Sequence, residues 1–328
     1  MPHVHDLFTD LGVWPIRRLN GNGNPAPHLS LLFDDHKFSV DTSRSPGREQ
    51  PDAYLITHAH SDHHGSSAMR SPRAIASRET ALALEIRHER SYAGSIFEIG
   101  DVLDINGVEL RTYPTRHTIG SSAFYWENSL GVRVLVTGDV KDYRSLPKCD
   151  LLVAEANYGD PWDSSCIFDD DLSGFWEALN SGSSFGAYAF GKAQRAVSLI
   201  RAMGFNEPIG MDEEGRRLTE ALMPDAGDII DFRDCDGVSI VTPKNLPRVR
   251  SPERYMLTGR ADVSWKRIRL SDHLDFRGIM RMLDHVSPEA VIFYHPAGVR
   301  SRLLAHHLRT TGCAAISLDE IDLFEKRM

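Results

Sequence analysis

The run His58-Ala59-His60-Ser61-Asp62-His63-His64-Gly65 offers three imidazoles and a carboxylate in the order His-x-His-x-Asp-His. These are borderline N/O donors that suit zinc or a similar divalent ion. Residues two apart on an extended loop can converge on one ion, so His58 and His60 serve one site while Asp62 and His63 turn to a second. His64 has no assigned role. A histidine-rich run is a weak sign by itself. What strengthens it is Ala53-Tyr54-Leu55-Ile56-Thr57 just before it, an apolar run that reads as a buried strand ending where the histidines begin.

The elements that must position such a loop can be read along the chain. Leu29–Phe33 and Lys37–Asp41 read as short strands around an Asp34-Asp35-His36 turn, with Asp41 closing the second. Locally, Asp41 is equally an acid that starts a turn. Residues 77–90 have helical spacing, and Asn106-Gly107 between two alternating runs is a hairpin signal. The second run leads to His117, in a His-x-x-Gly-small-small turn. The next hairpin returns as Val132–Thr137 and ends in Gly138-Asp139, and a further strand, 150–154, ends in Glu155-Ala156-Asn157-Tyr158-Gly159. From about 161 to 265 strands and helices alternate: a strand at 185–190, a helix opening at Gly191-Lys192-Ala193-Gln194-Arg195, a strand-helix pair over 208–223, and a strand at 238–242. That pattern predicts a small α/β domain with a partly parallel sheet. After Leu270-Ser271-Asp272-His273-Leu274-Asp275 come a helix from 277 to 286 and a strand, 290–294, that delivers His295. His285, on a polar face of that helix, reads as solvated.

Composition sets the bounds. A chain of 328 residues, 41% hydrophobic and 25% charged, reads as globular and can bury one large core or two modest ones. No apolar run approaches the length of a membrane span, and Met1-Pro2-His3-Val4-His5-Asp6 lacks the basic and apolar regions of a signal peptide, so a cytoplasmic location without membrane contact is expected. Cys149, Cys166, Cys235 and Cys313 form no CxxC pair, which points to free thiols rather than a thiolate zinc site. The net charge of −9 argues against coating nucleic acid with the whole surface but leaves room for a local basic groove. Residues 244–269 supply one candidate: Lys244, Arg248, Arg250, Arg254, Arg260, Lys266, Arg267 and Arg269 against Glu253 and Asp262. A solvated loop between domains fits the same stretch.

His-x-His-x-Asp-His after a buried strand resembles the metallo-β-lactamase superfamily, and the later motifs follow that family's order. Glu155-Ala156-Asn157-Tyr158-Gly159, Gly191-Lys192-Ala193-Gln194 and Ser271-Asp272-His273-Leu274-Asp275 resemble its β-CASP branch of nucleic-acid-processing enzymes, which includes messenger-RNA 3′-end processing nucleases and ligase-associated exonucleases. The resemblance implies an α/β fold, the metallo-β-lactamase αββα sandwich, with a first part at 1–160, a short β-CASP-like insert at 161–265 and a return at 266–328. It implies two zinc ions, manganese or iron being alternatives: one on His58, His60 and His117, the other on Asp62, His63 and His295, with Asp139 shared. Asp41 would orient the metal loop through hydrogen bonds. Asp62, Glu155 and His273 would be the catalytic groups, His273 as proton donor and Glu155 as its carboxylate partner. Nucleic acid would be met by Lys192 and Arg195 of the helix start and by Arg248, Arg250 and Arg267 of the basic stretch. RNA is expected ahead of DNA, because histidine at position 295 resembles the RNA-processing members. The partners implied are nucleic acid and either a second copy of the chain or a processing complex. A small-molecule hydrolase of the glyoxalase II or lactonase type uses the same ligands but does not need Glu155, Lys192 or His273. An inactive nucleic-acid-binding scaffold is the third reading.

Overall fold

The computed structural model describes residues 4–17, 29–42, 50–63, 65–293 and 299–321. The chain is a mixed α/β protein that divides into two compact units, residues 1–166 with 273–328, and residues 167–272.

The first unit begins with helix α1 (Val4–Leu11) and a sheet whose order follows the sequence: β1 (Val13–Ile16), β2 (Leu29–Phe33), β3 (His36–Val40), β4 (Ala53–Leu55), β5 (Ala74–Ser77) and β6 (Ser95–Phe97). The short helix α2 (Gly65–Ala68) follows the histidine loop. Helix α3 (Arg78–His88) starts where Ser77 Oγ accepts the Thr80 N–H and ends at Glu89, which takes left-handed backbone angles. The β2–β3 turn is one residue tighter than the sequence suggests. Phe33 pairs with His36, so His36 opens β3 and only Asp34 and Asp35 remain in the turn.

Strands β7 (Val102–Ile105), β8 (Val108–Pro114), β9 (Ser122–Glu127), β10 (Arg133–Gly138) and β11 (Leu151–Ala154) begin a second sheet. Asn106 and Gly107, between β7 and β8, both have positive φ, the backbone that a two-residue hairpin needs. The chain then enters the second unit, which holds α4 (Leu172–Asn180), β12 (Ser184–Gly186), α5 (Lys192–Ala202), β13 (Ile209–Met211), α6 (Glu213–Leu222), β14 (Ile229–Asp231), β15 (Ser239–Val241), β16 (Arg254–Leu257) and β17 (Arg267–Ile268). Its sheet runs β14-β13-β15-β12-β16-β17, with every pair parallel. The strand expected over 185–190 stops at Gly186; Tyr188 is exposed, and Gly191, at a φ of 85°, begins the turn into α5. After α7 (Phe276–Val286), β18 (Ala290–Phe293), α8 (Val299–Thr310) and β19 (Ala314–Ser317) complete the second sheet as β19-β18-β11-β10-β9-β8-β7.

Period-two alternation decides which core each residue joins. Val134 and Val136, Leu151 and Val153, Ala290 and Ile292 enter one core together with Leu31, Phe38, Val40 and Leu55 of the first sheet. Their neighbours Leu135, Leu152, Ala154, Val291 and Phe293 face the opposite way and meet Ile279, Met282 and Val286 of α7 and Leu304, Ala305 and Leu308 of α8. The two sheets therefore pack face to face, with α7 and α8 on the far side of the second. Trp126 is fully buried between the sheets, its ring 5.4 Å from that of Phe33 and 5.2 Å from that of Phe38. Among the described residues no helix is long and apolar enough to cross a membrane.

One close approach joins the strand ends that matter most. Gly138, the last residue of β10, has a φ of 60°, and a Cβ there would lie 2.6 Å from Thr57 Cβ. Both the backbone angle and the space demand glycine. Gly138→Ala is expected to lower stability by about 1–3 kcal/mol, the range for overpacking a core. The urea unfolding midpoint reads it, and an unchanged midpoint would mean that the two strand ends separate without cost.

Candidate metal centre

The histidine loop leaves β4 at Ile56, whose N–H still bonds to Ile75 O at 3.0 Å, and the Ser122 N–H bonds to Thr57 O at 3.0 Å. The loop is thus tied to β5 and to the start of β9. Behind it lies Asp41, buried, with a left-handed φ of 47°. Its carboxylate accepts from Thr57 N at 2.8 Å, from Thr57 Oγ1 at 2.7 Å and from His63 Nδ1 at 2.7 Å.

These bonds set where the protons sit. Thr57 Oγ1 gives its own hydrogen to Asp41, so toward His58 Nδ1, 3.0 Å away, it can only accept. His58 therefore carries its proton on Nδ1 and presents the lone pair of Nε2. By the same reasoning His63 donates from Nδ1 to Asp41 and turns Nε2 toward Asp139. Fixing a ligand's far nitrogen in this way is what partners behind a metal site do.

His117 and Asp139 reach the same place from the second sheet. His117 follows β8 in a turn where the Thr118 N–H and Ser121 Oγ are 3.1 Å apart, and Asp139 follows β10 at Gly138. Four donors meet: His60 Nδ1 lies 3.1 Å from His58 Nε2 and 3.0 Å from His117 Nε2, and Asp139 Oδ2 lies 3.7 Å from His58 Nε2 and 3.4 Å from His117 Nε2. Tetrahedral zinc with bonds of about 2.0–2.1 Å places neighbouring donors roughly 3.3 Å apart. The observed spacings bracket that value. Asp139 Oδ1, also buried, accepts no hydrogen bond among the described residues and lies 3.4 Å from His63 Nε2. The residues fit a cation, and His58, His60, His117 and Asp139 can hold a metal ion.

The electrostatics of His58 agree with that chemistry, whereas those of His63 favour its protonated form, paired with two carboxylates. Burial, then the nearby His63 and His117, pushes the His58 pKa well below the usual histidine value, which keeps it neutral as a ligand must be. For His63 burial acts downward, but the Asp139 and Asp41 carboxylates outweigh it and hold its pKa well above the usual value. Burial likewise opposes ionisation of Asp139, yet His63, His117 and His273 together hold its pKa well below the carboxylate range.

A second group adjoins the first through Asp139. Glu155, at the end of β11, is fully buried, and its Oε2 lies 2.7 Å from His273 Nδ1. His273 Nδ1 is 3.7 Å from Asp139 Oδ2, and its ring centroid is 4.5 Å from that of His117. Asp139, Glu155 and His273 form a second set of converging donors. Asn157, to which the sequence motifs assign no role of its own, bonds through Nδ2 to Glu155 Oε2 at 2.9 Å. Nothing local marks it, because the His273 ring that shares its Glu155 oxygen is distant in the chain.

Other expected residues stand elsewhere. Asp62 is exposed on the turn Ser61–His63, outside the four-donor cluster. His295 lies outside the described residues. Lys192 and Arg195, expected to meet nucleic acid, are instead engaged inside the second unit. Lys192 is 7% exposed, with Nζ 2.9 Å from Asp272 Oδ2 and 3.1 Å from Leu270 O. Arg195 binds Asp170 at 2.7 Å and lies 3.4 Å from Asp272. A buried ammonium needs a carboxylate more than a solvent-facing phosphate can supply. In the basic stretch Arg248 and Arg250 are exposed, whereas Arg267 is half-buried and donates to Arg260 O at 2.5 Å. His285, expected to be solvated, lies 2.9 Å through Nε2 from Leu146 O.

Two outcomes test this arrangement. Asp139→Asn and His58→Ala should each weaken divalent-metal binding at least tenfold in equilibrium dialysis, and full binding by both variants would rule the cluster out. Removing one member of a buried ion pair typically costs about 3–5 kcal/mol, so Lys192→Met should unfold at clearly lower denaturant, and adding Asp272→Leu should recover part of the loss. A stable Lys192→Met protein with weakened RNA affinity would return that lysine to the nucleic-acid surface.

No family model and no curated protein matches the chain. Among solved structures it is similar to the crystal structure of a protein of unknown function from Enterococcus faecalis V583, with a TM-score of 0.58 over 89% of this chain and 94% of that one. The two are 11% identical, so the likeness is one of fold.

Proposed function

We propose that the chain is a metal-dependent phosphodiesterase that hydrolyses RNA ahead of DNA, with the metallo-β-lactamase arrangement in its first unit and a β-CASP-like insert as its second. The observation that carries this reading is Asp139, which belongs both to the metal-ligand cluster and to the group that holds His273. A proton donor fixed beside a cation site is what cleavage of a phosphodiester with a poor leaving group requires. The face-to-face sheets and the order of the motifs also support it.

Two zinc ions, or manganese or iron, would be held by His58, His60 and His117 and by Asp62, His63 and His295, with Asp139 common to both. When bound, such ions acidify water and neutralise the charge of a phosphate. The protein's own share is positional. Asp41 and Thr57 fix the tautomer of His58, and Asp41 that of His63. Glu155 accepts a hydrogen bond from His273 Nδ1–H and so favours the doubly protonated ring, whose Nε2–H can be handed to the departing sugar oxygen, leaving His273 neutral with its proton on Nδ1. His273 keeps partial access to solvent, with 22% of its side chain exposed, so a substrate can reach that atom.

The test is hydrolysis of end-labelled single-stranded RNA and the matched DNA strand by zinc-loaded protein. RNA should be cut faster, and His273→Ala should lose about 10²–10⁴-fold in rate, the usual range for a general acid, while retaining its metal. If neither polymer is cut and a thioester or lactone is hydrolysed, the nuclease reading is wrong.

A further inference from the structure

The buried Glu155 carboxylate accepts three N–H groups. Oε1 takes the Val140 N–H at 2.6 Å, while Oε2 takes the Asn157 amide at 2.9 Å and the His273 ring at 2.7 Å. A terminal carboxylate torsion is broad and soft. It is fixed here only because both oxygens are engaged, and Asn157 supplies the donor that pins Oε2 apart from the histidine itself. The amide can face only one way, since turning it over would set its oxygen against the carboxylate. Its nitrogen also lies 2.9 Å from His273 Nδ1. Of these two neighbours only the carboxylate can accept from Nδ1, so the Nδ1–H points to Glu155 Oε2.

Asn157 is held in turn from α8. Its backbone carbonyl accepts from Arg300 Nη1 at 3.0 Å, and Arg300 Nη2 reaches Asp163 Oδ2 at 3.0 Å. The same guanidinium lies 5.6 Å over the Tyr158 ring, whose centroid is 6.1 Å from that of His273. Only a planar fork can grip a carbonyl and a carboxylate while stacked on a ring.

We infer that Asn157, anchored by Arg300, is a positioning residue that fixes the plane and the proton of His273 through Glu155. This rests on the proton-donor reading of His273. The leaving group separates it from a merely structural role: a ribose oxygen needs a proton as it departs, whereas p-nitrophenolate leaves largely without one. Asn157→Ala should therefore lower kcat on RNA by about 10–100-fold, the range for partners behind a site, with KM and metal content near wild type. The loss on bis(p-nitrophenyl) phosphate should be at least tenfold smaller. In a His273→Ala background the substitution should add little further loss on RNA, because the two residues act as one unit. Arg300→Ala, which leaves the buried group untouched, should reproduce the same selectivity more weakly. In the metal-free protein the downfield NMR signal of the His273 Nδ1–H should broaden or shift in Asn157→Ala. Equal losses on both substrates, or additive losses in the double variant, would overturn the inference alone. Full RNA cleavage by His273→Ala would overturn the proton-donor reading and this inference with it.

Discussion

The carboxylate of Asp41 is the constraint on which the rest of the centre depends. It is buried and held in a left-handed conformation that a non-glycine residue adopts at an energetic cost. Three hydrogen bonds on its two oxygens offset that cost and convert one side chain into a template for the loop. Two ligand-bearing rings inherit their proton placement from there, His58 through Thr57 and His63 directly. Without Asp41 the imidazoles could exchange tautomers freely, and a ring with its proton toward the centre is no ligand.

Asp139 carries the second organising role. Three buried histidines, His58, His63 and His117, and the partly exposed His273 surround it, so its negative charge is the common reference for both groups of donors. Burial alone would drive such a carboxyl to its neutral form, and the opposing outcome shows how strongly the surrounding imidazoles act. The Glu155 group then extends that field to a partly solvated histidine. One electrostatic unit therefore runs from a sealed interior to a side chain that meets solvent.

Part of this architecture is legible in local chemistry alone. The Asn106-Gly107 turn, the alternating strand at 132–137 and the helix opened at Gly191 all declare themselves within a few residues, and each has its counterpart in β7–β8, β10 and α5. The His58–His63 run is dense enough to stand out unaided. The rest carries no local signal. Strands β14, β16 and β17 are two to four residues long, and the last two lie inside the basic stretch, where charge masks a strand whose identity comes from its parallel neighbours. Lys192 and Arg195 resemble exposed cations because their partners, Asp272 and Asp170, lie far away in sequence. Asn157 and Arg300 acquire meaning only when β11, α7 and α8 are brought together.

The supply of ligands from both sheets carries a consequence for how the molecule comes into being. His58 and His60 belong to the loop after β4, whereas His117 and Asp139 follow β8 and β10 of the other sheet. During synthesis the histidine run emerges well before Asp139, and longer still before His273, so a chain only partly made has several exposed imidazoles and no enclosing pocket. Closing the centre then waits on long-range pairing, the slow class of folding event. Until it occurs, those histidines are open to adventitious cations, and premature capture would compete with the docking of the two sheets.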